Sequence, residues 1–267
     1  MVNEALSEDL YEYHTRHPEV ILLQYVDDLM LAGTTEEACS RATGDLLQTL
    51  GTLGYRASAK KAQISRQEVT YLGYEIRQEK KWLTQAMKET ILQIPESETP
   101  RQVREFLGTV GYCRLWIMGF AEKPRPLYEG SKETPDWTWT EPVKQAFQTL
   151  RRALLEALAL ALPNPNKPFQ LFVDEKQRIG KGVLTQQWGQ WKWPVTYLSK
   201  RLDPVAAGWP PCLRIIAATA LLVRDTDKLT CGQQLLVYTP HAIEGVLKQP
   251  PGKWISCLLE TLPGPAA

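Results

Sequence analysis

Residues 20–32 read Val20-Ile21-Leu22-Leu23-Gln24-Tyr25-Val26-Asp27-Asp28-Leu29-Met30-Leu31-Ala32, two short apolar runs on either side of adjacent carboxylates. Each run is too short for a helix and suits a half-buried strand, so the segment predicts a β-hairpin with Asp27 and Asp28 at its tip. Paired carboxylates on a rigid hairpin can hold Mg²⁺, which takes one or two protein carboxylates, keeps water ligands and shares substrate phosphates. Asp-Asp is equally ordinary turn chemistry, and the dipeptide alone leaves both readings open.

Outward from the hairpin the pattern continues. Before it, residues 3–15 predict a short helix capped by Asn3, with Leu6, Leu10 and Tyr13 on one face and His17-Pro18 as its end. After it, Thr34 and Glu37 form a capping-box pattern, opening a helix that carries Leu46, Leu50 and Leu53 and stops at Gly54. Val69–Ile76 has strand composition with Gly73 in mid-strand, and Lys81–Thr84 returns as its hairpin partner. Thr99-Pro100-Arg101-Gln102 starts a helix by three rules at once: a capping threonine, proline in the first turn and glutamine to complete the box. Val103, Phe106, Leu107 and Val110 then follow at helical spacing.

A further helix is expected over 141–160, with Val143, Phe147, Leu150, Leu154 and Leu158 inward. The proline-rich stretch 163–168 (PNPNKP) breaks that pattern and marks a domain boundary. Strands at 169–173, 182–186 and 195–198, a helix over 213–224 and a strand at 235–238 make an α/β or α+β unit of ordinary domain size. The chain contains no internal repeat and no low-complexity tract.

With 267 residues, 43% hydrophobic and 23% charged, the chain is long enough for two or three globular units. No apolar run is long enough to span a bilayer, and the acidic start MVNEALSEDL lacks the pattern of a secretory signal, so neither membrane nor export is expected. Cys39, Cys113, Cys212, Cys231 and Cys257 are odd in number and never paired as CxxC, and three histidines match no zinc spacing. Reduced, mostly buried thiols in a cytoplasmic setting are expected. A formal charge of +1 hides an asymmetry: nine acids stand against Arg16 alone in residues 1–40, whereas Arg56–Arg66 holds four basic residues and no acid. Residues 101–125 add Arg101, Arg104, Arg114, Lys123 and Arg125 against Glu105 and Glu122. Acidic and basic regions in one chain suit an enzyme of nucleic-acid synthesis, and suit equally a set of solvated helix faces.

Tyr25-Val26-Asp27-Asp28 resembles the signature hairpin of reverse transcriptases. The stretches LLQYVDDLMLA, LGYRASAKKAQIS, YLGYEI, TPRQVREFLGTVGYCRLWI, LFVDEKQ, KGVLTQ and DPVAAGWPPCLR all resemble gammaretroviral polymerase, in that family's order, over roughly residues 3–256. The resemblance implies an α+β fold: a partial reverse-transcriptase palm over 1–82, a helical thumb over 83–162, an RNase H-like connection domain over 163–254, and a divergent tail over 255–267. It implies that Asp27 and Asp28 are catalytic and bind Mg²⁺, or Mn²⁺, with Tyr25 and Val26 beside the primer end. Leu72, Gly73 and Tyr74 would form the primer grip. Arg101 and Gln102 would face the template-primer from the thumb helix, where Gly108 and Gly111 permit either helix packing or close approach to a duplex. Lys60 and Lys61 would contact phosphates, or be merely solvated.

The implied partners are an RNA/DNA or DNA template-primer duplex and deoxynucleotides, with cytoplasmic and virion-associated localisation and an open oligomeric state. The implied activity is RNA-directed DNA polymerization. The family's fingers and its third catalytic aspartate have no counterpart in these residues, as in a reading frame cut from an endogenous provirus, so the chain alone is expected to be impaired. A template-primer-binding remnant without chemistry, or a domesticated proviral protein, is the alternative. Ungapped matching to active RNase H puts Asp174, Ile215 and Pro240 at the three acid positions, so no RNase H activity is expected, and His241 reads as a surface histidine.

Overall fold

Leu6, Leu10 and Tyr13 do share one buried face, but the amino-terminal helix is broken in two at Leu10: α1 spans Val2–Asp9 and α2 spans Tyr11–Arg16. Asn3 lies inside α1 instead of capping it. The structure is a computed structural model that describes residues 2–96, 99–132 and 138–240; the tail 255–267, His241 and Cys257 fall outside the described residues. The chain divides into two compact units, Met1–Glu79 and Lys80–Ala267.

In the first unit, β1 (Val20–Tyr25) and β2 (Asp28–Gly33) pair antiparallel in the register Tyr25↔Asp28, Leu23↔Met30. The helix α3 (Glu36–Thr52) packs beside them. Its cap is Thr35 instead of Thr34: Ala38 N donates to Thr35 Oγ1 at 3.2 Å. Leu46 and Leu50 are buried, whereas Leu53 lies past the helix end and is exposed. Leu10, Tyr13, Leu22, Ala42 and Leu46 form the core. Tyr13 Oη donates to Ala42 O at 2.9 Å, and burial, followed by the charges of Asp45 and Glu19, pushes its phenol up to about 12. At the end of α2, His17 Nε2 lies 2.8 Å from Asp45 and Arg16 Nη1 3.1 Å from the same oxygen, which ties this helix to α3.

The segment expected as one strand with a mid-strand glycine is a hairpin. β3 (Glu68–Tyr71) and β4 (Tyr74–Arg77) pair antiparallel around the two-residue turn Leu72-Gly73, with φ of 48° and 72°. A two-residue hairpin turn with both central φ positive ordinarily has glycine or asparagine there, and glycine occupies only the second position.

The second unit opens with β5 (Lys80–Leu83), whose Lys80 and Lys81 pair with Ala161 and Leu160 of β6 (Leu160–Ala161). Between them lie α4 (Gln85–Gln93), α5 (Pro100–Tyr112), a 3₁₀ turn at Arg114–Trp116, α6 (Arg125–Gly130) and α7 (Glu141–Leu155). The cap of α5 forms as its sequence predicts, with Gln102 N donating to Thr99 Oγ1 at 3.3 Å. Phe106 of α5 meets Phe147 of α7 at 4.4 Å between ring centroids. The helix expected to reach 160 ends at Leu155, and Leu158 is 77% exposed, because the chain turns there to enter β6. Next come β7 (Phe169–Lys176), β8 (Ile179–Trp188), β9 (Trp191–Arg201), α8 (Pro204–Ala207), α9 (Pro211–Thr230) and β10 (Leu235–Tyr238). The sheet order is β10-β7-β8-β9, with β10 parallel to β7 and the rest antiparallel. A parallel pair needs a long crossover, which α9 supplies.

The PNPNKP segment is tied to this sheet by one buried amide. Gln186 accepts from Asn164 N at 2.8 Å and donates to the carbonyls of Asn164 and Lys167 at 2.8 and 2.9 Å. Burial alternates along β7: Phe169, Leu171 and Val173 face the core with Ile215, Ala218 and Leu222 of α9. The helix can lie this close to β8 because that strand has Gly180 and Gly182 beneath it. A Cβ on Gly180 would stand 2.8 Å from Ala218 Cβ and 3.3 Å from its Cα; on Gly182, 2.9 Å from Leu222 Cδ1. Of the described cysteines, only Cys113 is buried, and burial pushes its thiol up to about 11; Cys39 and Cys212 are half-buried and Cys231 is exposed, against the expectation of mostly buried thiols. No helix among the described residues is long and apolar enough to cross a membrane. We predict that Gly180→Ala, which forces α9 off the sheet, destabilises the second unit by about 1–3 kcal/mol, read as a lower urea midpoint at unchanged m.

Candidate nucleic-acid interface

The β1–β2 turn is where strand pairing and side-chain chemistry meet. With Tyr25 opposite Asp28, only Val26 and Asp27 remain unpaired, so the tip is Val26-Asp27 and Asp28 is the first residue of β2, not part of the turn. Val26 has φ 51° and is the one member of the pair with positive φ. A β-branched side chain there is a conformational outlier, held by the register of the strands on both sides. Tyr25, Val26, Asp27 and Asp28 are all solvent-exposed. Exposure keeps both carboxylates hydrated, available to an external cation and its phosphate ligands.

The second hairpin brings further predicted residues into the same unit. Leu72 and Tyr74 are half-buried, and Gly73 is exposed at the turn. At Tyr71 of β3, burial first, and then the negative charge of Asp28, raise the phenol above its ordinary value. The basic window is clipped to β3 by one side chain, since Gln63 Nε2 donates to Thr70 O at 2.9 Å and Thr70 N donates to Gln63 Oε1 at 2.8 Å. Lys60 and Lys61 stand exposed on a short turn closed by Lys61 N and Ala62 N donating to Ser58 O.

Arg101 and Gln102 lie in the second unit on α5. Arg101 is fully in solvent and engaged with Glu105 at 3.1 Å, one helical turn on, while Gln102 is half-buried. Such an exposed i,i+4 pair contributes only about 0.3–0.5 kcal/mol, so a phosphate could displace the carboxylate. For Gly108 and Gly111 the helix-packing alternative fails: an added Cβ at either would find nothing within 4 Å. Their side of α5 is a shallow, open helix surface. On the RNase H-like sheet, Asp174 is exposed at the end of β7 and Ile215 is core, only 2% exposed. The charged α9 residue that meets β7 is its neighbour Arg214, whose Nε lies 3.0 Å from Glu175 Oε2, and Glu175 has only 4% of its side chain exposed. Sequence matching missed this pair because it followed only the acid positions of the active pattern, and neither Arg214 nor Glu175 is one of them. Among the described residues, no group of three histidine, cysteine or carboxylate side chains is placed to hold a metal ion.

The fold and these sites define a class. Residues 1–76 match the reverse transcriptase (RNA-dependent DNA polymerase) family, and residues 139–237 match the RNase H-like domain found in reverse transcriptase. The chain is thus a reverse-transcriptase segment followed by an RNase H-like domain. More particularly, over 256 residues, 96% of its length, it is 60% identical to the Pol polyprotein of feline endogenous virus ECE1. It is 59% identical to the Gag-Pol polyprotein of baboon endogenous virus and 55% to that of koala retrovirus over the same length. It spans 24% of the first of these proteins and 15% of the other two. The fold is shared with solved structures of foamy viral protease-reverse transcriptase. One, in complex with double-stranded DNA, gives a TM-score of 0.80 at 23% identity over 98% of this chain and 49% of the other. Another, in complex with an RNA/DNA hybrid, gives 0.79 at 21% identity over 98% of this chain and 38% of the other.

The strained turn can be tested directly. Val26→Gly is expected to relieve the positive φ and stabilise the hairpin by roughly 0.5–1 kcal/mol, since glycine meets no steric conflict there. Slower hydrogen exchange at the Asp28 and Tyr25 amides checks this; faster exchange would show that the turn carries no strain.

Proposed function

We propose that this chain is the nucleic-acid-gripping part of a retroviral RNA-directed DNA polymerase: palm end over 1–82, thumb over 83–162 and connection over 163–254. The observation that carries the reading is the Tyr25-Val26-Asp27-Asp28 turn, where adjacent exposed carboxylates stand on a strained two-residue hairpin inside the segment that matches reverse transcriptase. The donors fit Mg²⁺, or Mn²⁺, as a hydrated ion held by two carboxylates and completed by substrate phosphates; they do not make an all-protein cage. When bound, such an ion neutralises charge that develops on the phosphoryl group and polarises the attacking 3′-hydroxyl.

The chain's own residues then have separable tasks. Asp27 and Asp28 supply hard oxygens at the primer end, and Val26 and Tyr25 flank them. Leu72, Gly73 and Tyr74 support the primer's last phosphates, with Gly73 exposing its backbone at the turn. Lys60 and Lys61 in the first unit, and Arg101, exposed on α5, with its half-buried neighbour Gln102, contact the template-primer backbone. The substrate class is an RNA/DNA or DNA duplex with a deoxynucleotide. Arg214 and Glu175 at the β7–α9 junction leave the connection domain without metal-dependent RNA cleavage. The non-catalytic reading rests on the same geometry: two carboxylates with no third metal-binding group beside them among the described residues bind an ion loosely, and positioning supplies almost all of phosphoryl-transfer catalysis.

Two measurements test this function. In primer extension on an RNA template, the 267-residue chain is expected to perform no better than Asp27→Asn/Asp28→Asn; every tenfold drop in rate is about 1.4 kcal/mol of transition-state stabilisation. Robust extension that vanishes in the double variant would instead make this chain a complete polymerase. Binding of a duplex is expected to be sequence-independent and salt-sensitive. Lys60→Glu/Lys61→Glu should flatten the slope of log K against log salt by roughly one unit for each phosphate no longer neutralised; an unchanged slope would show the two lysines to be merely solvated.

A further inference from the structure

Three arginines from three elements of the second unit meet around one cleft. Arg125 opens α6, Arg178 sits in the two-residue turn between β7 and β8, and Arg201 ends β9; together they line a cleft of about 740 Å³. A second hollow of about 320 Å³ shares Arg125 and Arg201 and adds Lys132 and Tyr128. The carboxylates on these walls are already engaged. Glu122 Oε2 accepts from Lys181 Nζ at 2.6 Å, and Glu129 Oε1 accepts from Arg125 Nε at 3.0 Å. Among the described residues no ion pair involves Arg178, Arg201 or Lys132. The surroundings are cationic as well: the hydrogen bond from Lys181, and then the charges of Lys181, Lys176 and Lys123, hold the Glu122 carboxyl below its ordinary range.

The position of Arg178 is costly in conformation. Gln177 and Arg178 have φ of 55° and 66°, a pair of positive values for which Asn-Gly is the preferred sequence. The turn is pinned on both sides: Arg178 N donates to Glu175 Oε1 at 2.7 Å, and Leu202 N donates to Arg178 O at 2.9 Å. A long, charged residue kept in the left-handed region, at the wall of a cleft that two other arginines also line, is strain retained where a ligand would be met.

We propose that this cleft is a phosphate-binding site whose ligand carries clustered phosphates, either successive phosphodiesters of a nucleic-acid strand or the chain of a nucleoside polyphosphate. Planar guanidinium forks take phosphate oxygens two at a time, and three arginines along one cleft, two of them in no ion pair among the described residues, favour adjacent phosphates over a single anion. The site does not depend on Asp27, Asp28 or the lysines of the first unit; only its nucleic-acid arm rests on the duplex-binding reading.

The test is calorimetric titration of the whole 267-residue chain with sodium tripolyphosphate at low salt. Saturable binding is expected, weakened at least about tenfold in Arg178→Gln/Arg201→Gln, and left unchanged in Lys228→Gln, an exposed lysine of α9 outside the cleft. Arg178→Gly separates a binding role from a structural one: the midpoint of thermal unfolding should rise by a few degrees while tripolyphosphate affinity falls, because glycine accepts the turn and offers no guanidinium. Displacement of tripolyphosphate by a template-primer duplex assigns the cleft to a nucleic-acid strand; displacement by dTTP but not by duplex assigns it to a free nucleotide. Absence of saturable binding overturns the proposal. So does an affinity unchanged in Arg178→Gly, which decides the matter even if the double variant fails to fold.

Discussion

A two-residue link between antiparallel strands leaves the backbone almost no freedom, because the twist of the strands demands positive φ in the turn. This chain meets that demand repeatedly with residues unsuited to it: Val26, Leu72, and the pair Gln177 and Arg178. Each such turn sets the register of its hairpin, and a slip of one residue would send every side chain to the other face. The alternation that buries Leu22 and leaves Ile21 exposed, or buries Leu171 and leaves Asp174 exposed, therefore rests on a few uncomfortable dihedrals. Gly73 eases one of them, as Gly189 eases the turn between β8 and β9. Such strain persists where the strands on both sides over-determine the turn, and it is also where exposed chemistry gathers: carboxylates at Val26-Asp27, and a guanidinium at Arg178.

The same turns explain which parts of the structure the sequence disclosed. Helices with a cap and a 3.6-residue pattern were legible: Thr99 and Pro100 announce α5, and Val103, Phe106, Leu107 and Val110 all proved buried. So were the strands of the second sheet, though Phe169–Val173 proved to be only the core of a longer β7. The errors lay at ends and turns. Thr34 and Thr35 offer the same capping chemistry, and only the backbone at Thr35 chooses between them. Tyr-Leu-Gly-Tyr reads as strand composition because Leu72 gives no sign of positive φ; the one clue was glycine between two tyrosines. Leu158 fits the periodicity of α7, yet tertiary pairing of β6 with β5 ends that helix at Leu155.

Of the candidate site, residue types were legible and relations between them were not. Asp27 and Asp28 stand out in the sequence, but that Val26 replaces Asp28 in the turn follows from strand register alone. Nor could spacing reveal that Gln63 clips the basic window to β3, or that Arg101 is engaged with Glu105. The open face at Gly108 and Gly111 is a similar case, since a glycine in a helix signals close approach without saying to what. Charge behaves likewise. A formal value of +1 conveys nothing of a cleft in which Glu122 and Glu129 are already matched and Arg178 and Arg201 are left over.

The junction of β7 and α9 shows how a nearly enclosed charge is balanced within the chain. Glu175 is nearly enclosed, and an enclosed carboxylate needs a compensating cation. Arg214 supplies a fixed guanidinium from α9, and the turn amide of Arg178 satisfies the other carboxylate oxygen. The charge is thereby balanced within the chain, at all metal concentrations. Removing either partner would leave an uncompensated charge at a cost of about 3–5 kcal/mol, comparable to a large part of a domain's stability. The pair thus couples the helix that crosses the sheet to the strained turn that presents Arg178. Loss of the internal cation would disturb both the packing of Ile215 in the core and the geometry of the cleft, which makes Arg214 a residue whose effect on binding would run entirely through the position of its neighbours.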